Sequence, residues 1–426
     1  MLGGPPALRV PVAQGDPASQ VAPAGRVLRL AVCVAVAVGM LPLAIAEEET
    51  TFRLANGLTV VLQPRAQDSG IAIALVLAVG EDHDAVNRAG WAQFIGAIAV
   101  PDGWQVRVAG TYSAFTRVVE KAELEGGLAA VARRLTGRRS PGDIAAVKVW
   151  QALRAREEQK PAESFRADLR ARLGPAAPAG SMDAPPPLSA ELEERLRQQF
   201  AAANATLALV GAFDPATARE RCEALLGAMP AGDPLPAPRA GGATAVAAAE
   251  IVAMPMPDAW AGGPPILCRV SPGPTSRDQL FPAFLAIAAT LKAACNPPPV
   301  QSPPGTAQPR MDFDLLEDPV LLALTLRHGL AGQEDGPAYL ERFLAENAQP
   351  ASVDAVVRAF PELMADVADG APGETAIRLA RRAQLGIDRV TLRRALEGLL
   401  PEAAGQARER FFAPATARWG RYGVGW

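Results

Sequence analysis

Apolar residues run unbroken from Ile71 to Val79, and Ala205 to Val210 is apolar but for Thr206, each the length of a β-strand. Between Leu54 and Pro64 two apolar stretches flank Asn56-Gly57, the strongest short hairpin signal. Val106 to Ala109 and Ala114 to Ala122 are β-rich, with Val118 beside Val119. The period then changes. Leu124, Leu128, Val131 and Leu135 recur at helical spacing, and Asn87 to Val100 suits a buried helix with Phe94 and Ile98, four apart, turned inward. Ser140-Pro-Gly-Asp143 carries a helix start, with Ser as N-cap and Pro at the first helical position. Further helices are expected at Ile144 to Glu158, Ala162 to Leu173, Ser189 to Ala203, and Asp214 to Met229, the last capped by Asp214 with Pro215 following.

Asp233 to Ala248 is rich in Pro, Gly and Ala and reads as a linker. Beyond it the alternation returns more loosely. Ile266 to Val270 and Pro319 to Leu326 read as strands; Gln279 to Ala294, Ala338 to Glu346, Val353 to Ala368, Glu374 to Leu385 and Arg389 to Leu400 read as helices. The prolines of Asn296 to Gly305 exclude regular structure there.

At 426 residues the chain has room for two to three domains, and 49% apolar residues can fill sizeable cores. A net charge of −3 carries no basic excess for nucleic acid and no acidic solvating tail. At the front, Arg26 and Arg29 precede an apolar run from Leu30 to Ala46 that ends Leu43-Ala-Ile-Ala46, followed by three glutamates. A positive flank, a short apolar stretch and a small-x-small end describe a secretory signal over residues 1–46, cleaved after Ala46, which implies the periplasm. A retained N-terminal membrane anchor is the alternative.

Chemistry is scarce. Cys33, Cys222, Cys268 and Cys295 share no C-x-x-C spacing, which excludes a zinc ribbon or a thioredoxin motif. Cys222, Cys268 and Cys295 read as small buried thiols; a disulfide of Cys268 with Cys222 or Cys295 is the alternative. The chain has two histidines. His83, in Glu81-Asp-His-Asp84, reads as part of a solvated acidic turn, and His328 as structural or exposed. No Gly-rich phosphate loop follows a strand, and Gly-x-Ser-x-Gly does not occur.

Five segments carry a resemblance. Thr51-Phe-Arg-Leu-Ala-Asn-Gly-Leu-Thr-Val-Val-Leu-Gln-Pro-Arg65, the run Ile71 to Asp82, and Gly90-Trp-Ala-Gln-Phe-Ile-Gly-Ala-Ile-Ala-Val100 are similar to the opening of the pitrilysin/insulinase (M16) zinc peptidases. Further on, Asn204-Ala-Thr-Leu-Ala-Leu-Val-Gly-Ala-Phe-Asp-Pro-Ala-Thr-Ala218 and Met229-Pro-Ala-Gly232 resemble the end of that family's first domain, in the right order. The resemblance implies an α+β protein of two similar sheet-and-helix domains, 47–232 and a degenerate copy at 249–426, joined by 233–248.

It also implies where zinc chemistry would sit, and that chemistry is missing. The family's inverted motif His-x-x-Glu-His supplies two ligands and a general base from one helix face. Its positions here are Gln93, Gly96 and Ala97, and the third ligand position falls near Ala145, with Asp143, Glu157 and Glu158 the nearest acids. The segment around Pro101 to Trp104 is shorter than usual. No zinc and no other cofactor is therefore expected. Inactive family partners place an Arg and a Tyr in the second domain; Arg310 and Arg327 are in range, but the next tyrosine is Tyr339. The expected function is a non-catalytic pseudopeptidase paired with an active M16 subunit, the pair enclosing peptides. Sheet faces left open toward the chamber argue for such a partner. The alternatives are a metallopeptidase with an unrecognised site, and a free-standing peptide-binding or structural protein of the periplasm.

Overall fold

The structure is a computed structural model describing residues 49–84, 90–99, 103–136, 149, 152, 189–235, 251–254, 265–296, 309–315, 317–327, 335–364 and 370–422. The leader, most of the linker, Ala145, His328 and the helices expected at Ile144 to Glu158 and Ala162 to Leu173 lie outside these residues, apart from helical backbone at 149 and 152.

The first sheet has six strands. β1 (Thr50–Arg53) and β2 (Thr59–Pro64) form the hairpin signalled by Asn56-Gly57. Gly57 turns it with φ 92°, a left-handed value that suits glycine. Asn56 is buried; its side chain donates to the carbonyls of Leu226 (2.7 Å) and Met229 (3.2 Å), tying the hairpin to a helix end far along the chain. β3 (Ile71–Leu77), β4 (Gln105–Val108), β5 (Ser113–Val119) and β6 (Ala205–Gly211) complete the order β1-β2-β6-β3-β5-β4. β2 and β6 run parallel; every other pair is antiparallel.

The second sheet has the order β7 (Ile251–Met254), β11 (Arg418–Tyr422), β8 (Ile266–Pro272), β10 (Leu321–Arg327), β9 (Arg310–Phe313). Here β7 and β11 are the parallel pair, and the rest are antiparallel. Setting β7 on β2, β11 on β6, β8 on β3, β10 on β5 and β9 on β4 superposes both order and direction. The two sheets share one topology, which makes this an α+β protein of two similar sheet-and-helix units.

Each sheet covers one face with its own helices. On the first these are α1 (Trp91–Ala99), α2 (Leu124–Thr136), α3 (Ser189–Gln199) and α4 (Pro215–Leu226), the last capped by Asp214, whose carboxylate accepts the Thr217 N–H at 2.8 Å. Phe94 of α1 is fully buried and Ile98 packs half-buried against the same core. On the second sheet the central element is α5 (Phe281–Cys295), with α6 (Gly336–Asn347) and α7 (Val353–Ala359) around it. The helix expected to run from Val353 to Ala368 stops at Phe360, because Pro361 has no N–H to continue it; a short turn, α8 (Pro361–Met364), follows.

The other face of the first sheet is covered from the second half. α9 (Pro372–Leu385) lays Ala376, Ile377, Leu379 and Ala380 on Val61, Ala72, Ala74, Val76, Ala208 and Val210. Small residues alternate along β3 on that face, so a helix can approach closely. β3 and β6 are therefore buried at every position. This corrects the expectation of an open inner face: among the described residues, α9 covers the apolar face of β2, β3 and β6. Glu48–Trp426 forms a single compact unit. α10 (Arg389–Glu397) and α11 (Pro401–Ala407), then a π-helical turn (Arg408–Phe412) and a 3-10 turn (Pro414–Thr416), lead into β11.

Cys222, Cys268 and Cys295 are buried and lie outside any disulfide, so neither alternative bridge forms. Burial pushes the thiols of Cys222 and Cys295 up to about 12, away from reactive thiolate.

Candidate functional site

α1 carries Gln93, Gly96 and Ala97 on one face, at i, i+3 and i+4. That face looks onto β4, the edge strand of the first sheet. Gln93 is half-buried, and its amide Nε2 donates to Glu81 Oε1 at 2.5 Å. Gly96 is buried, and a Cβ built on it would stand 2.8 Å from Val108 Cγ2 and 3.3 Å from Val106 Cγ2. The space a side chain at position 96 would need is filled by the two valines of β4. Ala97 is half-buried and offers a methyl group. An amide, a hydrogen and a methyl are not a zinc donor set, and catalytic zinc needs three protein ligands with an open position. The residues present do not fit the metal. Among the described residues no group of three His, Cys, Asp or Glu side chains is placed to hold one.

The N-terminus of α1 is held by the loop before it. Asp84 accepts the Ala92 N–H with both oxygens, at 3.1 and 3.2 Å, satisfying one of the helix's orphan donors. Burial raises this carboxyl to about 7; the nearby Glu81 carboxylate adds to the rise, while the Ala92 N–H and Arg195 oppose it. Arg195 of α3 donates through Nη2 to the His83 carbonyl at 2.6 Å. His83 does not sit in a solvated turn. It is half-buried in a 3-10 turn (Glu81–His83), its Nδ1 accepts the Gly80 N–H at 3.2 Å, and burial lowers it to about 4 despite Asp82. Neutral near pH 7, it braces the loop.

A second polar cluster lies behind this loop. Glu317, between β9 and β10, accepts the Gly110 N–H at 2.7 Å, the Thr111 N–H at 2.8 Å and the Thr111 hydroxyl. Arg381 of α9 donates to Thr111 Oγ1 at 2.7 Å and lies 5.0 Å from the centre of the Tyr112 ring. Glu317, Thr111, Tyr112 and Arg381 are all buried. Burial raises the Tyr112 hydroxyl far above its ordinary range. Sequence reasoning missed Asp84, Glu317 and Arg381. No motif marks them; only the acidic turn hinted at Asp84. Of the second-half candidates, Arg310 is exposed at the start of β9, Tyr339 is half-buried on α6 with Arg342 beside its ring, and the Arg327 side chain is outside the described residues.

No protein-family model and no curated protein matches the chain. Solved structures do. A protease from Helicobacter pylori matches with a TM-score of 0.69 at 12% identity, over 89% of this chain and 100% of that one. A peptidase M16 inactive domain from Pseudomonas fluorescens matches with 0.62 at 15% identity, over 89% and 98%. The periplasmic protease PqqL from Escherichia coli matches with 0.66 at 13% identity, over 88% of this chain and 48% of that one, so this chain spans about half of PqqL. The fold is that of M16 peptidases, and inactive M16 domains share it.

Proposed function

We propose that this chain is a non-catalytic M16-type protein that completes an active zinc peptidase of the same fold, and that it works in the periplasm once residues 1–46 are removed. The observation that carries this reading is the helix face Gln93/Gly96/Ala97. On this reading α1 stands where the family carries its zinc helix, with no ligating side chain at these positions and Val108 packed against Gly96. Two further findings support it. Inactive M16 domains exist as folded relatives in structure, and one half of the length of PqqL matches this chain. With α9 covering the first sheet, pairing rests on these grounds and not on an exposed apolar face.

The test is co-expression with an M16 relative that keeps an intact His-x-x-Glu-His, ideally one encoded beside it. The two chains are expected to co-elute at micromolar concentration, with peptidase turnover that depends on this chain and zinc content near one per pair, held by the relative. Full activity of the relative alone, with separate elution, removes the pairing role. About one tightly bound zinc per copy of this chain alone removes the non-catalytic reading.

A second reading, a free-standing peptide binder, is favoured by one feature. β4 is a sheet edge whose residues Gln105, Val106 and Arg107 are exposed beside α1, and an extended peptide can add to such an edge. It becomes the better reading if no partner co-elutes and peptides do.

A further inference from the structure

We infer that Glu317 is the positioning residue through which the second half of the chain sets the placement of α1. The route is continuous. The Glu317 carboxylate holds the β4–β5 turn by the N–H groups of Gly110 (2.7 Å) and Thr111 (2.8 Å) and by the Thr111 hydroxyl. The carbonyls of that same turn face the other way. Ala109 O accepts the Glu81 N–H at 3.0 Å and Gly110 O accepts the Asp82 N–H at 2.8 Å. The Glu81–Asp84 loop in turn holds α1 at two points, Glu81 to Gln93 and Asp84 to the Ala92 N–H. The peptide units of the turn are thus gripped on both sides, N–H by the second half and C=O by the loop.

The contact between turn and loop has no slack. A Cβ placed on Gly80 would come within 2.1 Å of Ala109 O and 2.5 Å of Gly110 O, so a shift of the turn must carry the loop with it. Arg381 fixes the turn from a third direction through Thr111 Oγ1, and Arg107 of β4 pairs with Asp314 (3.5 Å) in the segment that bears Glu317. A carboxylate accepting two backbone N–H groups and a hydroxyl in a buried site is a strong, directional anchor. The inference stands whether or not the chain pairs with a peptidase. It states how a change in the second half reaches the helix whose face Gln93, Gly96 and Ala97 occupy.

Amide hydrogen exchange on the full chain tests it, with Glu317→Gln as the first variant. The amide keeps the shape but turns a donor toward one of the two N–H groups. The amides of residues 80–84 and 91–94 are expected to exchange about tenfold faster or more, while those of β6 stay within about twofold. Thr111→Val is the second variant: it removes the hydroxyl and leaves both backbone N–H groups, and it is expected to speed the same amides by a smaller factor. Glu317→Asp should restore part of the protection. Acceleration confined to residues 109–113 and 314–318 overturns the inference, since Glu317 then only fastens the two segments it touches. Uniform acceleration that includes β6 in both variants also overturns it, as a loss of overall stability. If Glu317→Gln does not fold, the pattern in Thr111→Val decides alone.

Discussion

Asp84 is a carboxyl raised to about 7 by burial, and that makes it a liability at neutral pH. A group whose folded pKa lies above its unfolded value contributes stability that is complete below about pH 4 and lost as pH rises through about 7. Asp84→Asn keeps an oxygen for the Ala92 N–H and removes the charge. Thermal unfolding should show the variant equal to wild type near pH 4 and more stable by roughly 1–3 kcal/mol at pH 8. His83, lowered to about 4, has the opposite sign: its contribution is present above about pH 6.5 and lost as pH falls through about 4, so the difference between variant and wild type is the quantity to follow. At Gly96, propensity and space disagree. Alanine there gains up to about 1 kcal/mol of helix propensity, but its Cβ falls 2.8 Å from a Val108 methyl. Gly96→Ala is expected to destabilise by about 1 kcal/mol alone and to stabilise in a Val108→Ala background, read from denaturant unfolding as a double-mutant cycle. Helix propensity alone favours introducing Gln93→His, Gly96→Glu and Ala97→His together, but the valines of β4 leave no room for a side chain at position 96. Gln93, Gly96 and Ala97 could be singled out from sequence because they sit in a run that resembles a known one. Glu317 could not, because its role comes from contacts more than 200 positions away along the chain.

Strands and helices with strong periodicity were readable: Ile71–Leu77, Ala205–Gly211, Leu124–Thr136 and Pro215–Leu226 fall where the pattern places them. Three strands of the second sheet were not. β11 reads Arg-Trp-Gly-Arg-Tyr, too polar and too short to signal a strand, yet it lies between β7 and β8 with Trp419 and Tyr422 buried. β7 and β9 are four-residue edges at which periodicity has no room to show. The polar content of the second sheet has a use. Arg269 of β8 is fully buried and pairs with Glu341 of α6 at 2.7 Å, while also donating to Ser271 and to the Phe412 carbonyl at 2.8 Å. Removing one partner of such a pair strands a buried charge. Glu341→Ala is therefore expected to destabilise the chain by about 3 kcal/mol or more, whereas Arg342→Ala, whose pair is exposed, should cost under about 1 kcal/mol. Chemical denaturation of the two variants side by side checks this.

At the scale of the molecule, the duplication was legible only through the family resemblance; the second half's own pattern suggested alternation but not strand order. The structure shows it in the matching sequence of parallel and antiparallel pairs. What no pattern announced is that α9 belongs to the second half by sequence and to the first sheet by packing. A chain ending after residue 235 should therefore be insoluble, since Val61, Ala72, Ala74, Val76, Ala208 and Val210 lose their cover. Supplying residues 249–426 as a separate chain should recover soluble material in a co-elution experiment, and recovery of a soluble, folded first half alone would contradict this account.

The same helix sets a timetable for biosynthesis. Residues 71–77 and 205–211 leave the ribosome long before Leu385, so one face of their sheet stays uncovered until most of the chain has been made. At about 5–20 residues per second, the 174 residues from Gly211 to Leu385 correspond to roughly 10–35 s of exposure for an apolar, strand-forming surface. A chain built this way needs escort during its synthesis, and depletion of holding chaperones should reduce its yield more than that of a protein whose first domain closes on itself.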